Sequence, residues 1–402
     1  MKLATEMRGN APTAGARQAG FSVLEMTMGM VLFGIVLGSM LGLLEVGRKT
    51  RSNTMATNDD VQGVRIALNQ MQKDVLNAGV DYPNSGATLP TNWLYNHLGL
   101  AKSSPTGTVD SLTPVVPGYG PGLTFAGSDP PNSTLSNNVS SPTSTVVCDQ
   151  VTLVSVNYLF DASTVGTGIT TVNPVSMAGS NTVNTGSQTA TLQITSPANN
   201  SLNSSSVCNV GDVYYMNWAA DPTGIIGIVT SLGQTSKAND SIVLASSGDP
   251  LGLNSFATTS STAPPYDIGA VGGVSTVSAY KLDFVTYYVK DDGTGKGTGV
   301  LMRRSYGGAS GGSAQKWTDQ PLAFNVTSMT VNYTLSDQTV TRNPTLAQFQ
   351  NIRQIAVSIT VQSQNRMQVA NESKQATTGS GTYNTQTLTA VMNTRNLGYE
   401  KN

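Results

Sequence analysis

Arg17-Gln18-Ala19-Gly20-Phe21-Ser22-Val23-Leu24-Glu25 leads directly into an apolar run that reaches about Val46. A short basic leader ends in Gly20, an aromatic follows, and a carboxylate stands four residues further on, at the head of a hydrophobic helix. A lone carboxylate at one end of a membrane-length segment costs several kcal/mol to bury unless it is paired, so Glu25 reads as functional. Roughly 20 apolar residues span a bilayer, which accounts for the length of the run. A secretory signal peptide has a shorter apolar core with a small-x-small cleavage site after it. Here Ala19-Gly20 precedes the run, and Glu45-Val46-Gly47-Arg48 at its far end offers no such site. A plain membrane anchor explains the length but neither Glu25 nor the Gly20-Phe21 junction.

The junction resembles the processing site of type IV prepilins and related pseudopilins. The resemblance implies a membrane peptidase that cuts between Gly20 and Phe21, removing residues 1–20 as a leader and methylating the new amino terminus at Phe21. It also implies a role for Glu25 in assembly, where the carboxylate meets the amine of a neighbouring subunit in an apolar filament core.

The chain has 402 residues, a formal net charge of −1 and only 11% charged residues. Lys2, Arg8 and Arg17 against Glu6 give the leader a net positive charge, and its removal makes the remainder more acidic. Such a chain has no basic field to attract nucleic acid. A body rich in Ser, Thr and Asn, with 41 Gly and 18 Pro, favours short strands joined by turns over a helical bundle. Basic residues flank the apolar run on both sides, Lys2, Arg8 and Arg17 before it and Arg48, Lys49 and Arg51 after it, so the positive-inside count is close to neutral. The cysteine pair and the low charge favour a body outside the cytoplasm. Cys148 and Cys208 are either one disulfide, in an exported domain, or two buried thiols. A bond would close a loop of about 60 residues and contribute up to roughly 4 kcal/mol.

No proline occurs from Phe21 to Tyr82, so the helix is expected to run over 21–82, with about 21–46 in the membrane and Pro83 as the stop. Val61, Val64, Leu68, Met71 and Val75 recur at spacings of three and four and form one apolar stripe, expected to pack on a sheet. Gly34, Gly38 and Gly42 fall at i, i+4 and i+8. That spacing permits close helix packing in a membrane, and it also lowers helix propensity by about 1 kcal/mol per glycine, which favours local melting. Both roles stay open.

Beyond Pro83 the period changes from 3.6 to 2. Val154, Val156, Tyr158 and Phe160 alternate, as do Met329, Val331, Tyr333 and Leu335, and Ile355, Val357, Ile359 and Val361, each set predicting a half-buried strand. Further strands are predicted at Val213–Trp218, Ile225–Val229, Ile242–Ala245, Asp283–Val289, Val300–Arg304 and Thr387–Thr394. The Ser/Thr/Asn-rich stretch 162–206 is expected to be a loop excursion, and Asp291–Gly297 a hairpin loop. The fold class is therefore α+β, a long N-terminal helix packed on the antiparallel sheet of a β-rich head over 83–402.

A second resemblance lies in the body. Asp149-Gln150-Val151-Thr152-Leu153-Val154 resembles a strand of PilW-type minor pilins, and Gly211-Asp212-Val213-Tyr214-Tyr215 with the Gly224–Thr230 strand resembles that family's Gly-Asp pair. Tyr287-Tyr288-Val289, Leu301-Met302-Arg303-Arg304, a Val326–Leu335 strand and a closing strand ending Thr394-Arg395-Asn396 follow in the same order, and Gln72–Gly79 with Asp74 fits the helix end. The resemblance implies a subunit that initiates or caps a type IV pilus. Its implied partners are other minor pilins, the major pilin, the prepilin peptidase, the inner-membrane assembly platform and a tip adhesin. It implies an inner-membrane location before assembly and an extracellular pilus afterwards. The J-type minor pseudopilin of type II secretion shares the leader, helix and β-rich head, although its heads are usually smaller. A ligand-binding adhesive subunit is the reading from another class.

Catalytic patterns are weak. His97, the sole histidine, reads as a packed or surface residue. Gly308-Ala309-Ser310-Gly311-Gly312 matches G-x-S-x-G but lacks a following helix and a later histidine. Lys296 is followed by Gly rather than Ser or Thr, which excludes a phosphate loop. Asp291 and Asp292 lack EF-hand spacing. No Cys/His cluster has zinc-ligand spacing. The sequence thus predicts no enzyme, no cofactor and no metal.

Overall fold

The computed structural model describes residues 22–98, 100, 109–118, 148–157, 175–178, 181–194, 209–234, 240–256, 266–274, 276–292, 298–363 and 384–394. The chain divides into two compact units, Met1–Met55 and Ala56–Asn402.

In the first unit lies the apolar part of α1, a helix with bounds Val23–Asn77. The segment Val23–Arg48 has a mean hydropathy of 2.1 and is long and apolar enough to cross a membrane. None of its most apolar window is buried within the chain.

In the second unit, α1 carries the predicted stripe. Val64, Leu68, Met71 and Val75 are buried, Val61 is partly buried, and Ala67 and Ala78 extend the same face. Each large member contributes about 1.5–3 kcal/mol by leaving water. The helix ends at Asn77 instead of running to Tyr82. Gly79 takes a φ of +78°, a conformation that suits glycine, and its N–H donates to the Val154 carbonyl at 3.0 Å. Pro83 follows a helix that has already closed.

The strands are β1 (Ala87–Leu89), β2 (Asp110–Leu112), β3 (Val115–Gly118), β4 (Gln150–Val156), β5 (Val175–Ala178), β6 (Thr182–Asn184), β7 (Thr189–Ile194), β8 (Val213–Trp218), β9 (Asp221–Ile228), β10 (Ser231–Gln234), β11 (Asp240–Ala245), β12 (Thr276–Asp291), β13 (Gly299–Tyr306), β14 (Ala309–Ser310), β15 (Ser313–Ala314), β16 (Trp317–Leu335), β17 (Val340–Thr341), β18 (Ile352–Gln362) and β19 (Thr385–Asn393). A short helix, α2 (Trp93–Leu98), lies between β1 and β2. The main sheet runs β19-β18-β16-β13-β12-β8-β9-β1-β2 and is antiparallel except where β1 meets β9.

β12 is the spine of this sheet because it changes partners along its length. Its first part pairs with β5 and β8, and its second part with β4 and β13. Alternation then serves two cores at once. Val285, Tyr287 and Val289 face the α1 stripe, while Leu282 and Phe284 join a second core with Trp93 and Leu98 of α2. A third core lies under β6, β7, β10 and β11, which form a separate four-stranded sheet.

Two expectations need correction. The stretch 162–206 is not wholly loop, since β5, β6 and β7 lie within it and Ala190 and Leu192 of β7 are buried. Its small polar residues tolerate pairing because one face needs only those two apolar side chains. β4 is not half-buried either, since all seven of its residues are buried. Val151 and Leu153 enter the core under α1, while Val154 and Val156 enter the core with α2. Tyr158 and Phe160, expected to extend that strand, lie outside the described residues, as do residues 293–297 of the hairpin loop.

Candidate functional site

The head of α1 is built on Ser22 and Glu25. The Ser22 N–H donates to the Glu25 carboxylate (Oε2) at 3.1 Å, and the Glu25 N–H donates to Ser22 Oγ at 3.2 Å. This reciprocal pair is a capping box, S-x-x-E, which satisfies two backbone donors that a helix start otherwise leaves open. Glu25 therefore holds its carboxylate back toward the chain's N-terminal side, one residue from Phe21. Gly20 and Phe21 themselves lie outside the described residues. Ser22 was missed in the sequence, although S-x-x-E before an apolar run is a legible signal.

Along the next six turns the apolar side chains are exposed, among them Leu32, Phe33, Ile35 and Leu41. A Cβ added at Gly34, Gly38 or Gly42 would meet nothing within 4 Å.

The motif residues of the head have structural duties. Tyr287 and Arg303 are partners across the β12–β13 ladder. Both reach Asp74 of α1: the Tyr287 hydroxyl donates to its carboxylate at 2.6 Å and Arg303 Nε donates at 2.9 Å. On the opposite face the next residues along each strand, Tyr288 paired with Met302 and Arg304 paired with Thr286, reach a second carboxylate diagonally across the ladder. Tyr288 Oη donates to Asp319 at 2.9 Å, and Arg304 donates two hydrogen bonds to the same carboxylate at 2.7 and 2.8 Å. The Arg304 guanidinium also lies 3.9 Å from the centre of the Trp317 ring. Burial alone would raise the Asp319 carboxyl, but its bonds to Arg304 and Tyr288 outweigh this and hold it below the ordinary carboxylate range. Strand alternation thus makes two Tyr-Arg-Asp locks, one on each face.

Elsewhere Asp149 is buried and takes a bidentate pair from Arg342 at 2.6 and 2.7 Å, together with the Val331 N–H at 2.9 Å. Thr152 and Thr286 hydroxyls bond across the β4–β12 ladder at 2.6 Å. Asp212 receives Lys281 at 2.8 Å. Gly211 has a φ of +87°, and a Cβ there would lie 1.7 Å from the Gly308 carbonyl oxygen, so only glycine fits. The sequence motifs therefore mark ion pairs and close approaches that hold strands together.

Cys148 is buried beside Met329 of β16, with which it forms a parallel bridge, and burial pushes its thiol up to about 12. Cys208 lies outside the described residues, so the pairing of the two stays open. His97 stacks on Trp93 with centroids 4.6 Å apart. Ser310 sits in the β14–β15 hairpin, whose two-residue turn uses positive φ at Gly311 and Gly312, rather than at a strand-to-helix elbow. Thr298 bonds Asp292, and Lys296 lies outside the described residues. Among the described residues no group of three or more His, Cys, Asp or Glu side chains is placed to hold a metal ion.

Residues 286–397 match the family model described as Type IV Pilus-assembly protein W. The matched segment contains Tyr287, Tyr288, Arg303, Arg304 and Asp319, and with them most of both locks. The match is a likeness to that pilus-assembly family over this C-terminal segment. No curated protein and no solved structure matches the chain.

Proposed function

We propose, from the PilW-type region at 286–397, that this chain is a minor type IV pilin that takes part in initiating or capping pilus assembly. The observation that carries the reading is the presence, in one chain, of that region and an exposed apolar helix headed by the Ser22–Glu25 box. The subunit waits in the inner membrane on Val23–Arg48 with its head outside the cytoplasm. Prepilin peptidase cuts between Gly20 and Phe21, and Phe21 is methylated at its new amine. On assembly the helix leaves lipid for the filament core, where Glu25 meets the amine of a neighbouring pilin. Two opposite charges in low dielectric attract strongly, whereas either alone bears a heavy desolvation cost. The contribution of Glu25 is therefore registration of neighbours. Gly34, Gly38 and Gly42 let adjacent helices approach. The partners are the major pilin, other minor pilins and the assembly platform, and the head presents a tip adhesin. Cys148 bonds Cys208 outside the cytoplasm.

The test is quantitative mass spectrometry of sheared, purified surface filaments, searching for a peptide that begins at methylated Phe21. Its presence at a small fraction of the major pilin is the expected result. Processed protein confined to the membrane and absent from filaments would overturn the reading in favour of a secretion pseudopilin. Peptide maps with and without reductant decide the Cys148–Cys208 bond. Glu25→Ala is expected to be cleaved normally but to be lost from filaments, and Gly20→Leu to remain unprocessed.

A further inference from the structure

The four-stranded sheet of β6, β7, β10 and β11 lies outside the family-matched segment 286–397. At its edge β6 and β7 form a hairpin that opposes Thr182 to Thr191, Val183 to Ala190 and Asn184 to Thr189. Ala190 is buried in the third core, so alternation sets Thr182, Asn184, Thr189 and Thr191 together on the outward face. With Thr185 and Ser187 of the turn they line a cleft of about 530 Å³, in which Val183 is the one apolar lining residue. Clefts of roughly 300–1,000 Å³ hold small ligands.

Two hydrogen bonds shape the turn. The Ser187 N–H donates to Asn184 Oδ1 at 3.1 Å, and Thr189 Oγ1 donates to the Ser187 carbonyl at 3.1 Å. Among the described residues, no group bonds the hydroxyls of Thr182, Thr185, Ser187 or Thr191. The polar face of β18 and β19 differs, since Thr360 bonds Thr387 and Ser358 bonds Thr389. Hydroxyls there satisfy one another, whereas those of the cleft are left to whatever enters it.

The lining selects a class of ligand. It holds no charged side chain, so a sulfated, phosphorylated or carboxylated ligand would lose water without meeting a counter-charge. It offers little apolar area, so a lipid chain or an aromatic ring would leave its hydroxyls unpaired. A sugar fits, because its hydroxyls both donate and accept, as do those of Thr and Ser, and a primary amide does the same through its two ends.

We propose that the β6–β7 cleft binds a neutral saccharide, a hexose unit of an uncharged polysaccharide. Thr182, Thr185, Ser187 and Thr191 supply hydrogen bonds, and the Asn184 amide donates a further one. Without a charge or an aromatic platform a single sugar binds weakly, with a Kd on the order of 1 mM, so a polymer of repeated units is the ligand retained. The inference rests on the hairpin alone and stands apart from the pilus reading, which concerns filament assembly.

The test passes the purified full-length chain, in a detergent without a sugar headgroup, over immobilised dextran, mannan and galactan, with heparin and polygalacturonate as charged controls. Retention on at least one neutral polymer, and elution by its own monosaccharide, is expected. Thr182→Val with Thr191→Val keeps both side chains β-branched and should lower that retention about tenfold, through two lost hydrogen bonds. Thr185→Ala, in the turn outside both strands, should lower it about threefold. Thr387→Val with Thr389→Val, at hydroxyls already paired within the main sheet, should leave it unchanged, and the circular dichroism of every variant should match wild type. No retention on any neutral polymer, or retention by the charged polymers alone, would overturn the proposal and leave an ordinary hydrated hairpin. Undiminished retention of the cleft variants, or an equal loss in the main-sheet variant, would overturn it as well.

Discussion

The two halves of α1 differ in where their apolar side chains go. Between Val23 and Arg48 they surround the helix and are exposed, with no partner among the described residues. Between Val61 and Ala78 they form one stripe, and that stripe is buried against β4, β12, β13, β16, β18 and β19. α1 thus joins a segment that the described residues leave exposed to a segment stabilised by its own fold. All-round apolarity and a single stripe have different physical meanings, and a helical period alone does not separate them.

Truncating the stripe should give the largest effect. Met71 is fully buried, so Met71→Ala is expected to destabilise the head by about 2–5 kcal/mol in denaturant melts. Leu32→Ala, in the exposed half, should leave the same melt within about 0.5 kcal/mol. Equal effects would dissolve the distinction between the halves.

Asp74→Ala removes the carboxylate shared by Tyr287 and Arg303 and should cost about 2 kcal/mol, since two largely buried donors lose their acceptor. Arg303→Ala in the same background should then cost much less than it does alone, which a double-mutant cycle would read.

The lock on the other face sharpens the comparison through pH. Asp319 titrates lower in the folded chain than in the unfolded one, so its contribution is present above the unfolded value of 3.8 and is lost as pH falls through the folded value. Asp319→Asn should therefore flatten the loss of stability below about pH 4 in melts taken from pH 5 downward. The effect at the helix head is expected to be local. Ser22→Ala removes half of the capping box and should speed amide exchange over Val23–Met26 by about fivefold, equivalent to about 1 kcal/mol, without moving the melt of the head.

Much of the fold was legible because local pattern carried it. The stripe from Val61 to Val75 and the alternations at 329–335 and 355–361 appear in the structure as read. β8 matches its expected bounds of Val213–Trp218. β4 misled because a strand covered on both faces has no polar face to alternate, and β7 because two apolar residues among Thr and Gln give a faint signal. The locks were illegible for a different reason. Asp74 meets Tyr287 and Arg303 across 213 and 229 residues, and no local pattern encodes which strands topology will bring to that helix. Of the candidate site, Glu25 stood out by its cost in an apolar run. Ser22 needed only the S-x-x-E spacing, and Gly20-Phe21 remains a reading of sequence.

The double use of Asp74 also has a mechanical meaning. Two of its acceptor bonds run to side chains on adjacent strands, Tyr287 on β12 and Arg303 on β13, which are themselves hydrogen-bonded neighbours. Tension entering the head along residues 56–77 of α1 is therefore shared between two strands of one ladder at the last turns of the helix. Rupture there requires two strong contacts to fail together, and the load spreads into the sheet as shear instead of peeling its strands away one at a time.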